Sequence, residues 1–315
     1  MGEILTEFVL LEFVLMGLTQ RTELQPFLYV TFLIVYINTW LGNFIIITTV
    51  ISDYQLHTSM YILLANLAFL DISESSVSTP KLLSDLLSQH KTISFNECIL
   101  QMFFFHFFAG AMGFCLVGMA VDRYMAIYKP LQYLTIMNQG VCMRIVALAW
   151  LVGLAHSALQ TGLLLQLPFC GPNILDNFYC DVPQVIKLAC TDTHLAEMQM
   201  NFNSGVLIII IFIILLISYT AILIKIRTHV TEGKRKALST CGTQITVMCL
   251  QFIPSIFIYA WPVKQFTLHK VVSVIYSVIT PMLNPMVYTL RNAEMKKAIR
   301  RLLNRMLFSW RERQT

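Results

Sequence analysis

Three sets of residues in this 315-residue chain are of types that do chemistry, and each sits in apolar surroundings. The first is Asp122-Arg123-Tyr124, a charge pair and a phenol at the end of a long apolar run. Ions at a membrane edge must pair, meet water or reach to the interface, so a charge there can be held in one state and released in another. The second is a scattered polar set, Asn43, Asp71, Glu74 and Asn284-Pro285. Buried polar groups must find each other or water. Pro285 has no backbone N–H, so it bends a helix and leaves a carbonyl one turn back unpaired. Glu74 follows Asp71 by three residues, close to one helical turn, which puts both acids on one face. The third is His106, alone among phenylalanines, with no His/Cys cluster at zinc-ligand spacing around it. It reads as a packing or tuning group. No Gly-x-Ser-x-Gly, His-Glu-x-x-His or paired-aspartate helix occurs, so no catalytic residues, enzyme activity or cofactor are expected.

The elements that must hold these residues follow from composition. The chain is 57% hydrophobic and only 12% charged, about half the usual soluble share of roughly 25%. That is too little charge to coat two soluble domains, and too much apolar side chain for disorder. Seven apolar runs, at residues 26–51, 60–80, 99–121, 145–167, 200–223, 245–263 and 271–290, come close to the ~20 residues that cross a bilayer. The expected fold is therefore an all-α membrane protein, a seven-transmembrane helix bundle over residues 26–290. No inverted repeat with short broken helices points to a transporter.

Charge sets the orientation. With residues 1–25 placed outside, the inner segments hold sixteen of the 22 basic residues, the bias that marks the cytoplasmic side. The basic clusters thus read as topology, and no nucleic-acid partner is expected. Residues 1–25 carry Glu3, Glu7 and Glu12 where a cleaved leader would be basic, and read as an extracellular N-terminus. Residues 291–315 read as a cytoplasmic tail. There Met295, Ala298, Ile299, Leu302, Leu303 and Met306 alternate with Lys and Arg, the pattern of an amphipathic helix on the inner leaflet with its cations toward lipid phosphates.

Of eight cysteines, Cys98, Cys170, Cys180 and Cys190 fall outside, where disulfides form. Four cysteines allow three connectivities, and spacing alone leaves all three open.

Specific strings then narrow the class. LHTSMYILLANLAFLD (Leu56–Asp71), MAVDRYMAIYKPLQY (Met119–Tyr133), the loop LPFCGPNILDNFYCDVPQVIKLACTDT (Leu167–Thr193), Ser218-Tyr219, KALSTCGTQ (Lys236–Gln244) and PMLNPMVYTLRN (Pro281–Asn292) occur in order. From about Thr6 to Leu303 the chain resembles the vertebrate odorant (olfactory) receptor family of rhodopsin-class G-protein-coupled receptors. It departs from the family's usual residues at Ser59 (proline), Met112 (glutamate), Val121 (tyrosine), Tyr128 (cysteine) and Gln244 (histidine), and it has no Asn-x-Ser/Thr sequon.

The resemblance implies a receptor for small volatile odorants that activates a stimulatory, olfactory-type G protein and raises cyclic AMP. It also implies a multi-pass place in the plasma membrane of sensory cilia, membrane lipid as a partner and an accessory protein for export. The same receptor type serving as a non-olfactory chemosensor in another tissue is the alternative. It implies the disulfides Cys98–Cys180 and Cys170–Cys190. It makes Asp122, Arg123, Tyr124, Tyr219, Asn284, Pro285 and Tyr288 the switch and G-protein-coupling set, with Asp122 holding Arg123 at rest. Because Met112 removes a carboxylate, Glu74 is expected to supply it, with sodium or a proton shared between Asp71 and Glu74.

Depth along the helices, rather than any motif, places the ligand cavity. Phe105, His106, Ala109 and Gly110 share one stretch of the third span, with Asn203, Ser204 and Leu207 at matching depth on the fifth. Phe252, Ser255 and Tyr259 line the sixth, and Val274 and Ser277 the seventh. Such a pocket is mostly apolar with a few hydrogen-bonding groups. The outer half of the third span has no acid to anchor an amine, which favours small neutral ligands.

Overall fold

The computed structural model describes residues 12–169, 173–229, 234–260 and 266–312. Among them, seven helices are long and apolar enough to cross a membrane, and they form one seven-transmembrane bundle. They are α1 (Gln25–Ser52), α2 (Ser59–Leu87), α3 (Phe95–Tyr128), α4 (Gln139–Leu164), α5 (Leu207–His229), α6 (Lys234–Tyr259) and α7. Helix α7 runs as Phe266–Val274, a π-helical turn Ile275–Ile279, and Thr280–Arg291. Helix α5 is led by His194–Met200 and a second π-helical stretch, Asn201–Val206. A last helix, α8 (Ala293–Glu312), follows.

The helices overrun the apolar runs because hydropathy measures only the part that suits hydrocarbon, while local caps set the true ends. Ser94 and Glu97 cap α3 reciprocally, side chain to backbone in both directions, the arrangement that satisfies two orphan N–H groups at once. Asn138 Oδ1 accepts from Val141 N at 3.0 Å and opens α4. Large apolar side chains on α1, α4 and α5 face outward, among them Ile34, Phe44, Leu151, Ile214 and Ile217. Such a surface would be an aggregation liability in water and is what a lipid-facing bundle requires.

Polar side chains tie the bundle internally. Trp150 Nε1 on α4 donates to Asn66 Oδ1 on α2 at 2.9 Å. Two prolines each free a carbonyl, and a neighbouring helix takes it. Pro254 cannot bond Leu250 O, which accepts instead from Thr280 Oγ1 at 3.2 Å. Pro285 likewise leaves Pro281 O to Asn43 Nδ2 at 3.1 Å.

One end of the bundle, called here the disulfide end, carries a small three-stranded sheet. Strand β1 (Glu12–Leu15) pairs antiparallel with β2 (Thr92–Ser94) and parallel with β3 (Ile174–Leu175). Phe13 and Leu15 of β1 are buried against Cys98, Cys180 and Leu175. Gly17 ends this segment with a positive φ of 66°, a backbone that glycine adopts without strain. At the opposite end, called the Arg123 end, α8 is clasped by Arg301 on Asp53 at 2.6 Å. Tyr61 OH also donates to Glu294 Oε2 at 3.0 Å.

Candidate functional site

A cavity of about 70 Å³ lies between α3, α4, α5, α6 and α7. A single water needs roughly 10–15 Å³ and a benzene-binding cavity about 150 Å³ on this kind of measure. The space therefore suits a compact molecule, or a larger one once side chains turn aside. From α3 come His106, Ala109, Gly110, Gly113 and Phe114, and from α4 Val152 and His156. Ser204 and then Leu207, Ile208 and Ile211 of α5 form the next wall. Gln251, Phe252, Ser255 and Tyr259 come from α6, and Tyr276 from α7.

Eight of the twelve residues expected from depth meet here: His106, Ala109, Gly110, Ser204, Leu207, Phe252, Ser255 and Tyr259. Four do not. Phe105 is buried behind the wall, packed on Tyr179 and Tyr276 at ring separations of 5.3 and 5.6 Å. Ser277 donates to Ser273 O at 2.8 Å, Val274 packs among apolar neighbours, and Asn203 lies off the cavity. For the α7 residues and Asn203, the π-helical turns Ile275–Ile279 and Asn201–Val206 are the reason. A π turn inserts an extra residue and rotates everything before it against the 3.6-residue count. Tyr276 takes the place on α7 that the ordinary period gives to Ser277.

Helix α4 is the wall that depth reasoning left out. The available signal was His156, a second lone histidine in an apolar run. Gln160 on the same helix donates to Ser204 Oγ, fastening α4 to the segment before α5.

The loop before α5 covers the disulfide end. Cys98 and Cys180 are bonded, with Cα atoms 5.5 Å apart. Cys190 is also disulfide-bonded; its expected partner, Cys170, lies outside the described residues. Cys190 N donates to Pro168 O at 2.9 Å, which draws the two strands of the loop together. Gln101 Oε1 on α3 accepts from Cys180 N at 2.8 Å. Asp181 is fully buried, and its Oδ1 accepts from Tyr259 OH at 3.1 Å while Oδ2 accepts from Tyr179 OH at 3.3 Å. Burial raises the Asp181 carboxyl above the usual aspartate range, against the opposing pull of His269 and the tyrosine bonds. Burial, with the charge of Asp181 beside it, pushes the Tyr179 phenol well up. Lys270 on α7 pairs with Asp176 of the loop at 2.5 Å.

Deeper in the bundle, Asn284 Nδ2 donates to Asp71 Oδ1 at 2.8 Å. Asn43 bridges Thr39 O and Pro281 O. Glu74 is fully buried facing Tyr276 and Gln251, and neither of its oxygens accepts a hydrogen bond. No group of three or more His, Cys, Asp or Glu suited to a metal exists among the described residues.

At the Arg123 end the acid and base of the Asp122-Arg123-Tyr124 triplet are not joined. Asp122 Oδ1 accepts from Tyr133 OH at 2.8 Å, and Arg123 Nε and Nη2 have no partner. Neighbours in a helix point about 100° apart, and a phenol from the following loop reaches the acid first. Burial and the charge of Asp122 raise the Tyr133 phenol. Tyr219 OH donates to Gln244 Oε1 at 3.1 Å, and Tyr288 OH is buried without a partner. Tyr124 stacks on Tyr128 at 4.4 Å, and Tyr128 OH donates to Ala221 O at 3.2 Å. Two of the residues that depart from the resembled family's pattern, Tyr128 and Gln244, therefore make bonds of their own. Ser59 is another, donating to Met137 O at 2.6 Å.

Comparison with known proteins agrees with this architecture. The profile of a family described as "Olfactory receptor" matches residues 32–306. The chain is 56% identical to olfactory receptor 4D1 of Homo sapiens over 290 residues, 92% of this chain and 94% of that one. It is 50% identical to olfactory receptor 4Q2 of Homo sapiens over 309 residues, 98% of each. It is 49% identical to olfactory receptor 4E2 of Mus musculus over 298 residues, 95% of this chain and 97% of that one.

Proposed function

The chain belongs to the olfactory receptor family, and from that premise we propose that a small, mostly neutral odorant fills the α3–α7 cavity and drives a stimulatory, olfactory-type G protein to raise cyclic AMP. This is an odorant-sensing G-protein-coupled receptor of the membrane, and not an enzyme. The observation that carries the proposal is the cavity itself. It is mainly apolar, holds a few hydrogen-bonding groups and is walled by the helices that must move if the Arg123 end is to open.

In this reading the disulfide end faces the outside, with residues 1–25 extracellular and residues 291–315 cytoplasmic, and the receptor sits in sensory cilia. The basic residues at the Arg123 end support that orientation. Helix α8 lies on the inner leaflet with its cations on lipid phosphates. Export draws on an accessory protein. Ligand shifts a population: the state with α6 swung outward binds odorant better, and Arg123, Tyr219 and Tyr288 rearrange to receive the G protein. Arg123 with two unpartnered nitrogens supports a group that has its main partner still to meet.

The test is cyclic AMP in cells expressing the receptor with a stimulatory G protein, across a broad odorant panel, gated on surface staining. A dose-dependent rise that Arg123→Ala removes is the expected result. Arg123→Ala that keeps its response would sink the coupling reading, and so would silence of a well-expressed wild type toward an odorant that it binds.

A further inference from the structure

Two imidazoles line the cavity from adjacent helices, and the protein leaves a nitrogen of each unsatisfied. His106 of α3 and His156 of α4 stack with ring centroids 6.0 Å apart and planes 11° from parallel. His106 Nε2 and His156 Nδ1 are buried without a hydrogen-bond partner. Two glycines make this juxtaposition. A Cβ on Gly153 would lie 2.6 Å from Phe107 O and 2.7 Å from Ala111 N, and one on Gly110 would lie 3.1 Å from Gly153 Cα. Only bare backbone lets α3 and α4 approach so closely, and the approach sets the rings face to face.

A neutral imidazole has one N–H and one bare nitrogen, and the tautomer decides which is which. A facing pair can therefore present a donor and an acceptor to the same small volume. A hydroxyl is the complement of that pair. Its oxygen accepts the N–H of one ring while its hydrogen goes to the bare nitrogen of the other. An ether only accepts, and a ketone engages both rings only if both N–H dipoles crowd one oxygen. The opposite wall offers a second acceptor for the same hydrogen, because Gln251 Oε1 is buried with no partner, and an ether or a ketone brings no hydrogen to either. An ammonium brings donors as well, but the cavity lining contains no Asp or Glu to offset its charge.

We propose that His106 and His156 together anchor the hydroxyl of a compact alcohol and that this pair sets the receptor's preference for alcohols over ethers, ketones and amines of the same skeleton. The proposal rests on the cavity being the ligand site, and it is tested by binding so that it does not depend on G-protein coupling. The full-length receptor is purified in nanodiscs, and its melting temperature is followed against cyclohexanol, cyclohexanone, methoxycyclohexane and cyclohexylamine, with the hexyl series in parallel. A ligand that binds the folded state raises the melting temperature in a saturable way.

The expected result is alcohol binding on the order of 10-fold tighter than binding of the matched ether, ketone or amine. His106→Phe and His156→Phe each bring the alcohol down to the level of the ether, and ether binding stays within about 3-fold. His156→Gln, which restores a donor and an acceptor, recovers part of the preference and serves where a phenylalanine variant does not fold. Alcohols that bind no better than the ethers, or not at all, overturn the proposal. So does a preference that survives in both phenylalanine variants. Alcohol selectivity in nanodiscs without cyclic AMP in cells would instead mean that the coupling reading fails while the anchor stands.

Discussion

Tyr259 OH donates to Asp181 Oδ1 across 3.1 Å, so the cavity wall on α6 and the loop that closes the bundle hold each other through a buried carboxyl. Asp181 directly follows Cys180, which is bonded to Cys98 on α3. The loop is thus tied to α3 by a covalent bond and to α6 by a hydrogen bond. That bond fixes the disulfide end of α6, the end away from Arg123.

Tyr259→Phe removes the donor and leaves a buried acid with one fewer partner. The expected cost is about 1–3 kcal/mol of stability, the penalty for an unsatisfied buried acceptor. Asp181→Asn in the same chain should recover part of it, and a double-mutant cycle on melting temperatures of the purified receptor measures the coupling. Strict additivity of the two changes would mean that the bond contributes nothing.

The same carboxyl gives a pH dependence with a fixed sign. Burial, opposed by His269 and the tyrosine bonds, holds the folded Asp181 above the ordinary aspartate range. The folded state therefore keeps this proton more tightly than the unfolded chain does. Its contribution to stability is complete below about 3.9, the unfolded value, and is lost as pH rises toward the raised folded value. The wild type minus Asp181→Asn difference in melting temperature should fall with pH over that window; a difference that rises or stays flat contradicts the assignment.

Gly153→Ala tests the α3–α4 contact. The added methyl meets backbone atoms at 2.6 and 2.7 Å, which cannot turn aside as a side chain would. A loss of about 1–3 kcal/mol is expected from overpacking, seen as reduced surface staining and a lower melting temperature. Gly162→Ala on the same helix is the control, with nothing within 4 Å of its new methyl. That substitution should stabilise by about 0.5–1 kcal/mol through helix propensity.

Apolar run length told of seven spans and their order, and six strings told of the family, because both are written in consecutive residues. The cavity was legible only where the helix is regular. On α3 and α6 a 3.6-residue period from His106 and Phe252 reaches the right neighbours, apart from Phe105 one step off the face. On α7 and ahead of α5 the π-helical turns break the count, and hydropathy carries no mark of them. Helix α4 was missed for another reason: it is apolar toward lipid and toward α3 alike, and the few small or polar residues that mark its inner face, Gly153, His156, Ser157 and Gln160, form no motif. The link between Asp122 and Tyr133 was hidden because it joins a helix end to a loop eleven positions on, where periodicity says nothing.

Glu74 offers a test of the polar core. It is fully buried with both oxygens unpartnered, and Asp71 one turn away is engaged by Asn284. Oxygen atoms in that position suit a sodium ion or a shared proton. Sodium chloride, compared with choline chloride at equal ionic strength, should raise the melting temperature of the wild type and have no such effect on Glu74→Gln. An identical salt response in both would remove sodium from the account, and Glu74→Gln should then simply stabilise by relieving a buried acid.

Tyr128 ties the Arg123 end shut from an unexpected direction. Its hydroxyl donates to Ala221 O of α5 at 3.2 Å, its ring stacks on Tyr124, and Lys225 Nζ lies 5.7 Å over that ring. The bond spans α3 and α5, whose separation must change if a G protein is to reach Arg123. Tyr128→Phe keeps the stacking and removes only the hydroxyl. A net hydrogen bond of about 0.5–1.5 kcal/mol held only in the closed state corresponds to roughly a 2- to 10-fold shift toward the open one. Basal cyclic AMP in Tyr128→Phe, normalised to surface staining, should rise by that factor, and the rise should vanish when Arg123→Ala is added. Basal signalling that is unchanged would show the bond to be present in both states, and a rise that persists without Arg123 would place the effect outside the coupling site.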